Sequence, residues 1–154
     1  MSHFGSSART APCSGLHLKA MAEKACYADM LHHVSLGTSD LNRAREFYDA
    51  VMQELGLGRT FNVPEAVGYG AGITVFSLNL PADGNSAAPG NGVHVAFEVE
   101  ARAAVNTFFR VAIAHGGRDD GPPGLRPHYD PHYYAAFVRD PDGNKIEALT
   151  FAAN

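Results

Sequence analysis

The sequence predicts an α+β protein built from two βαβββ modules that form a curved mixed sheet around a cleft. Three observations carry this expectation. The apolar stretch 93–99 follows the turn cluster Pro89-Gly90-Asn91-Gly92 and reads as a buried strand. The same pattern occurs at 31–37; an offset of 61 (94 − 33) sets His33 on His94, Val34 on Val95, Leu36 on Phe97 and Phe47 on Phe108. The closing strands superpose at a larger offset of 71 (147 − 76), which sets Gly72 on Gly143, Leu78 on Leu149 and Phe76 on Glu147. A strand and a helix that recur, with a histidine at one place in each strand, mark two copies of one unit.

Taken in order, residues 1–29 lack the periodicity of the rest and the continuous apolar core of a secretory signal, so a flexible extension is expected. The domain proper is 30–154, with module one at 30–80 and module two at 92–152. After the first strand, Asp40 is a good helix N-cap. From Leu41 the apolar positions Ala44, Phe47, Tyr48, Val51, Met52 and Leu55 recur at three and four residues, a helix face that Gly56 closes. Strands are expected at 59–62, 66–69 and 73–80, split by Pro64-Glu65 and Gly70-Ala71-Gly72. Residues 81–92, rich in Pro, Ala, Gly and Asn, read as the linker between modules. The second helix spans 101–115, with Ala104, Val105, Phe108, Phe109, Ala112 and Ile113 inward. An irregular segment at 116–131 leaves the second strand of module two poorly defined. Strands at 133–139 and 144–151 flank the turn Asp140-Pro141-Asp142-Gly143.

Bulk properties narrow the function. The chain has 154 residues, a formal charge of −4 and no run of Lys or Arg, which gives no electrostatic reason to expect nucleic acid or an anionic membrane. No apolar stretch approaches the length of a membrane span. Two cysteines, Cys13 and Cys26, make no disulfide framework and fit a reducing, cytoplasmic compartment.

The repeat carries the chemistry. Equivalent strands facing across a cleft bring His33 and His94 together with position 147, and the fourth symmetric place falls on Phe76, which ligates nothing. Two imidazoles and one carboxylate suit a divalent iron, manganese, nickel, zinc or cobalt ion with open coordination positions. Singly, a strand histidine is more often a hydrogen-bonded, partly buried residue than a ligand; the equivalence of the two makes the case. His32, one residue along, turns to the other face. The dense run 126–134 offers a substrate wall, or else a lid that merely covers the core. In the first case Arg126 holds an anionic group, Tyr133 contacts substrate, and His128 or Tyr134 serves hydrogen bonding or proton transfer. The candidates are thus Glu147, His128 and Tyr134 for catalysis, Arg126, Phe76 and Tyr133 for substrate, and His33, His94 and Glu147 for metal. Tyr69 and Arg59 are weaker cleft candidates, for which a structural role is the expectation.

The stretches HHVSLGTSDLNRAREFYDAV, GVHVAFEV and FVRDPDGNKIEAL resemble the vicinal oxygen chelate superfamily of glyoxalases, fosfomycin- and bleomycin-resistance proteins and extradiol dioxygenases. The resemblance covers residues 31–151. It implies paired modules around a metal cleft and ligands at His33, His94 and Glu147. It also implies a homodimer in which His33 of one chain meets His94 and Glu147 of the other. The activity it implies is that of a glyoxalase-like lyase or isomerase on a small, metal-chelating oxygenated substrate. Glyoxalase I has a further carboxylate where Phe76 is placed here. The alternatives are an extradiol-type dioxygenase, a thiol transferase of the fosfomycin-resistance type, and a drug-sequestering protein without metal.

Overall fold

Periodic apolar residues and well-placed turn signals yield ten elements in a computed structural model that describes residues 31–153. The extension expected at 1–29 lies outside the described residues. Module one holds β1 (Val34–Gly37), α1 (Leu41–Glu54), β2 (Gly58–Val63), β3 (Ala66–Gly70) and β4 (Phe76–Asn79). Module two holds β5 (His94–Glu98), α2 (Arg102–Ala114), β6 (Arg118–Leu125), β7 (Tyr134–Arg139) and β8 (Lys145–Thr150). Each module forms its own four-stranded mixed sheet, in the orders β1-β4-β3-β2 and β5-β8-β7-β6. The expected βαβββ repeat is present, carried on two sheets instead of one.

Local chemistry explains the element ends. Asp40 Oδ1 accepts the backbone N–H of Asn42 at 3.1 Å and of Arg43 at 3.0 Å, a cap worth about 1 kcal/mol. Gly56 follows α1 with φ +72°, a left-handed conformation that glycine adopts without steric cost. β6 forms in spite of Pro122 and Pro123 because it is the outer strand of its sheet, where a missing N–H removes no ladder bond. Bulges between Asp119 and Gly121 and between Gly121 and Gly124 absorb its irregular residues.

The sheets and helices share one core. Phe47, Tyr48, Val51 and Met52 of α1 and Phe108 and Ala112 of α2 are buried with Phe76, Leu78, Ile146 and Ala148 of the sheets. Ile113, expected inward, is 39% exposed at the end of α2. Phe76 meets Phe97 of the other module edge to face at 5.7 Å. Burial of each such large side chain contributes about 1.5–3 kcal/mol. Polar bonds also cross between modules: the Tyr48 hydroxyl donates to Asp140 Oδ2 at 2.8 Å, and the Thr38 hydroxyl to Asp142 Oδ2 at 2.7 Å. The turn after β7 is thereby fastened to α1 and to the loop after β1. The opposite sheet faces, away from the helices, carry the candidate site.

Strand pairing revises the register of the repeat. Val34 pairs with Phe76, and its equivalent Val95 pairs with Ile146. The closing strands are therefore related by an offset of 70 (146 − 76). Anchoring on Gly72 and Gly143 slips the comparison by one, because four positions separate Gly72 from Phe76 but three separate Gly143 from Ile146. A one-residue slip exchanges the two faces of a strand. Phe76 is the counterpart of Ile146, and both are fully buried in the core; Ser77 is the counterpart of Glu147, and both are buried polar residues.

Candidate functional site

β8 alternates Lys145, Glu147 and Leu149 toward the open face and Ile146, Ala148 and Thr150 away from it, which sends Glu147 into a cavity of about 690 Å³. The Glu147 side chain is only 1% exposed. One of its oxygens, Oε1, accepts the Tyr133 hydroxyl at 2.7 Å, and the other, Oε2, stands 3.3 Å from His94 Nε2. His94 comes from the start of β5, the neighbour of β8, and its ring is 47% exposed toward the cavity. Burial, and next the Glu147 carboxylate it donates to, push the Tyr133 phenol well above its ordinary range. That phenol is consequently a standing donor at neutral pH. Tyr129 and Phe137 complete an aromatic wall, with Tyr129 and Tyr133 edge to face at 5.3 Å.

The donor chemistry fits a divalent ion. An imidazole and a carboxylate converge, and the carboxylate is oriented by a phenol, the kind of outer partner that fixes a metal ligand in place. Among the described residues, no group of three His, Cys, Asp or Glu side chains gathers within one chain. His33 is exposed just before β1, and its Nδ1 lies 2.9 Å from His32 Nδ1. It belongs to the equivalent row of the first sheet and does not line the cavity with His94 and Glu147. On that row follow Ser35 and Ser77, whose hydroxyl oxygens are 2.7 Å apart. Beside Ser77, the Phe61 ring lies so close over Gly68 that a Cβ there meets it at 2.2 Å.

Several sequence expectations are corrected. Phe76 is no cleft residue: it packs against Tyr48 at 5.1 Å on the helix side of its sheet, and the fourth place of the repeat belongs to Ser77. Tyr134 faces α2, where its hydroxyl donates to Asn106 Oδ1 at 2.9 Å and the Arg102 guanidinium lies 5.0 Å from its ring, so it has no access to Glu147. His128 is exposed against Tyr129 at 4.2 Å and does not line the cavity. Arg126 stands at the margin, 5.6 Å over the Phe137 ring, and donates to the Pro122 carbonyl at 2.6 Å. Tyr133 is in the cavity, tied to Glu147. Arg59 and Tyr69 both bond Asp49, away from the His94–Glu147 pair, and line a second, smaller cavity. The cavity also holds residues not singled out from the sequence, among them Phe137 and the two cations Lys145 and Arg139. Their signal is parity: Lys145 precedes Glu147 by two on one strand, Phe137 pairs with Glu147, and Arg139 pairs with Lys145 across the turn.

This is a paired-module fold with an imidazole–carboxylate cleft, and its class is that of the paired βαβββ proteins. A sequence model of the Glyoxalase/Bleomycin resistance protein/Dioxygenase superfamily matches residues 30–148, and the chain belongs to that superfamily. Among solved structures it is similar to a glyoxalase/bleomycin resistance protein from Albidiferax ferrireducens, with 35% identity, a TM-score of 0.74, and coverage of 79% of this chain and 98% of that one. A glyoxalase-related enzyme from Fulvimarina pelagi shares 26% identity at a TM-score of 0.64, over 79% and 88% of the two chains. A lactoylglutathione lyase from Agrobacterium tumefaciens, at 22% identity and a TM-score of 0.58 over 79% and 93%, shares the fold. No curated protein gives a significant match. No helix among the described residues is long and apolar enough to cross a membrane.

Proposed function

We propose that the protein is a divalent-metal-dependent enzyme, a glyoxalase-like lyase or isomerase, whose small oxygenated substrate chelates the ion. The observation that carries this reading is the buried Glu147 carboxylate, held by Tyr133 and presented to His94 in an open cavity. Tyr133 offsets part of the cost of burying this carboxylate and leaves its second oxygen facing an imidazole, an arrangement that suits a cation and that a purely drug-sequestering cleft does not need. His33 supplies the third ligand from a second copy of the chain, which makes the active form a homodimer. A divalent ion held there supplies Lewis-acid stabilisation of an oxyanion.

The chain's own residues do the rest. Tyr133 keeps the Glu147 carboxylate in one rotamer and remains protonated. The Tyr129, Tyr133 and Phe137 rings exclude water from one side of the substrate. Ser77 stands where Glu147 has its counterpart, so the first module brings a hydroxyl and no second carboxylate. That observation favours a second reading, chemistry that needs only one protein carboxylate: ring-cleaving dioxygenation, or thiol addition. Oxygen uptake with a catechol, or loss of free thiol with an epoxide, separates these from isomerisation of a hemithioacetal.

Subunit complementation tests the shared site. Homodimers of His33→Ala and of Glu147→Gln each lack a ligand in every site, but a mixed dimer holds one intact site and one doubly damaged site. Mixing the two variants is expected to restore one tight metal site per dimer, read by titration with a chromophoric chelator. No restoration in mixed dimers shown to have formed would overturn the shared site.

A further inference from the structure

Four basic side chains share one rung of the second sheet. Arg118 pairs with Arg139, Arg139 with Lys145, and Lys145 with His94, across all four strands from β6 to β5. Side chains paired in this way lie on one face, and the face is that of Glu147, two residues along β8 from Lys145. Like charges directly opposite each other oppose folding, so two such pairs in succession call for compensation. One carboxylate supplies part of it: Asp120 Oδ2 lies 3.0 Å from Lys145 Nζ and 3.1 Å from Arg139 Nε. Those two cations, Lys145 foremost, hold the Asp120 carboxyl below its usual range.

Nearby acids are engaged elsewhere. Asp119 accepts the Gly121 N–H at 2.8 Å, and Asp142 accepts Arg43 and the Thr38 hydroxyl, each at 2.7 Å. Among the described residues, no carboxylate pairs with Arg118 or Arg126. The Lys145 ammonium stands 4.5 Å from the centroid of the Phe137 ring, which Arg126 also overlies, and Phe137 is the direct strand neighbour of Glu147. The cations therefore border the cavity at a definite distance from the His94–Glu147 pair. Lys145 and Arg139 keep 28% and 34% exposure beside Asp120, so an incoming anion reaches both cations and shares them with that carboxylate.

We propose that Lys145 and Arg139 form an anion ledge, and that the substrate carries an anionic oxyacid group, carboxylate or phosphate, a few bonds beyond its chelating oxygens. Two strand residues, roughly 7 Å of backbone, separate the ledge from Glu147. A molecule held by vicinal oxygens at one end and by its anion at the other is fixed in a single orientation across Phe137. The inference deepens the metal-site reading and rests on it for the chelating end.

Three probes test it by calorimetry on the full chain loaded with manganese(II). Lactate offers a 2-hydroxycarboxylate head alone; malate extends that head with a carboxylate, and 3-phosphoglycerate extends it with a phosphate. Charge-assisted contacts at the ledge predict that at least one extended ligand binds about tenfold or more tightly than lactate. Lys145→Gln is expected to collapse that preference to about twofold or less. The stronger of the two extended ligands identifies carboxylate or phosphate as the preferred group. Equal binding of the three, binding of none, or a preference that survives both Lys145→Gln and Arg139→Gln overturns the ledge. If the wild-type chain takes up no manganese, the metal reading fails, and the same ratio measured on the metal-free chain still decides the ledge.

Discussion

The Tyr133 hydroxyl donates to Glu147 Oε1 at 2.7 Å, and this bond fixes which carboxylate oxygen remains for the cavity. The remaining Oε2 faces His94 Nε2. Replacing Tyr133 by Phe removes the donor while retaining most of the ring packing against Phe151. Outer partners of this kind are worth about 10- to 100-fold in metal affinity. Tyr133→Phe is expected to weaken metal binding by about tenfold, measured by competition with a chelator, and wild-type affinity in the variant sinks the idea that Tyr133 orients a ligand.

Glu147→Gln has the larger expected effect. The amide is nearly isosteric, accepts the Tyr133 hydroxyl through its carbonyl, and lacks the charge that an ion requires. Metal affinity is expected to fall by more than about a hundredfold, beyond what loss of an outer partner alone produces. The metal-free variant is expected to unfold in urea no earlier than the wild type, since an amide costs less to bury than a carboxylate. Unchanged metal uptake identifies Glu147 as a buried structural acid.

What the sequence made legible follows from alternation and from what alternation leaves free. The helix face at Ala44, Phe47, Tyr48, Val51 and Met52 and the Asp40 cap come from local pattern, and the structure has both; His94 and Glu147 come from the repeat of the modules, and the structure has them lining one cavity. The fourth place of the repeat did not, because equivalence of strands was read through glycines in turns of unequal length. Likewise Tyr133 and Tyr134 are adjacent, and only the turn between Arg139 and Lys145 decides which of them shares the face of Glu147. The edge position of β6 has no local signal at all. Prolines and glycines argue against a strand until its place at the margin of the sheet is known.

The corrected register yields its own prediction. Ser77 is buried, bonded to Ser35 at 2.7 Å, and equivalent to Glu147 in the other module. Ser77→Glu supplies a second carboxylate on the same row as His33. In a site shared between two chains this is expected to raise metal affinity by about tenfold or more, as a fourth protein ligand closes an open position. Phe76→Glu, on the core side, is expected to unfold the chain instead, because it buries an unpaired charge. A Ser77→Glu protein that folds and binds metal no better removes Ser77 from the neighbourhood of the ion.

A last prediction concerns the fastening between modules and its pH dependence. Asp140 is buried, and burial raises its carboxyl above the usual range although Asn144 and Tyr48 donate to it. The Tyr48 phenol in turn is pushed up, by burial first and by Asp140 next, and stays protonated. Because the folded-state value exceeds the unfolded one, the native chain binds more protons through that window. Asp140's contribution is then greatest in acid, below the unfolded value, and declines as pH rises through the raised one. Tyr48→Phe removes a donor from the ionised carboxylate and raises it further. The variant is expected to lose about 1.5–3 kcal/mol at pH 7, the worth of a hydrogen bond to a charged group, and less in acid below the ordinary Asp value of about 3.9, where a raised carboxyl is mostly protonated. Urea unfolding of both chains at the two pH values measures this. A loss that is equal at both, or greater in acid, means that Tyr48 acts through packing and that the carboxylate does not depend on its hydroxyl.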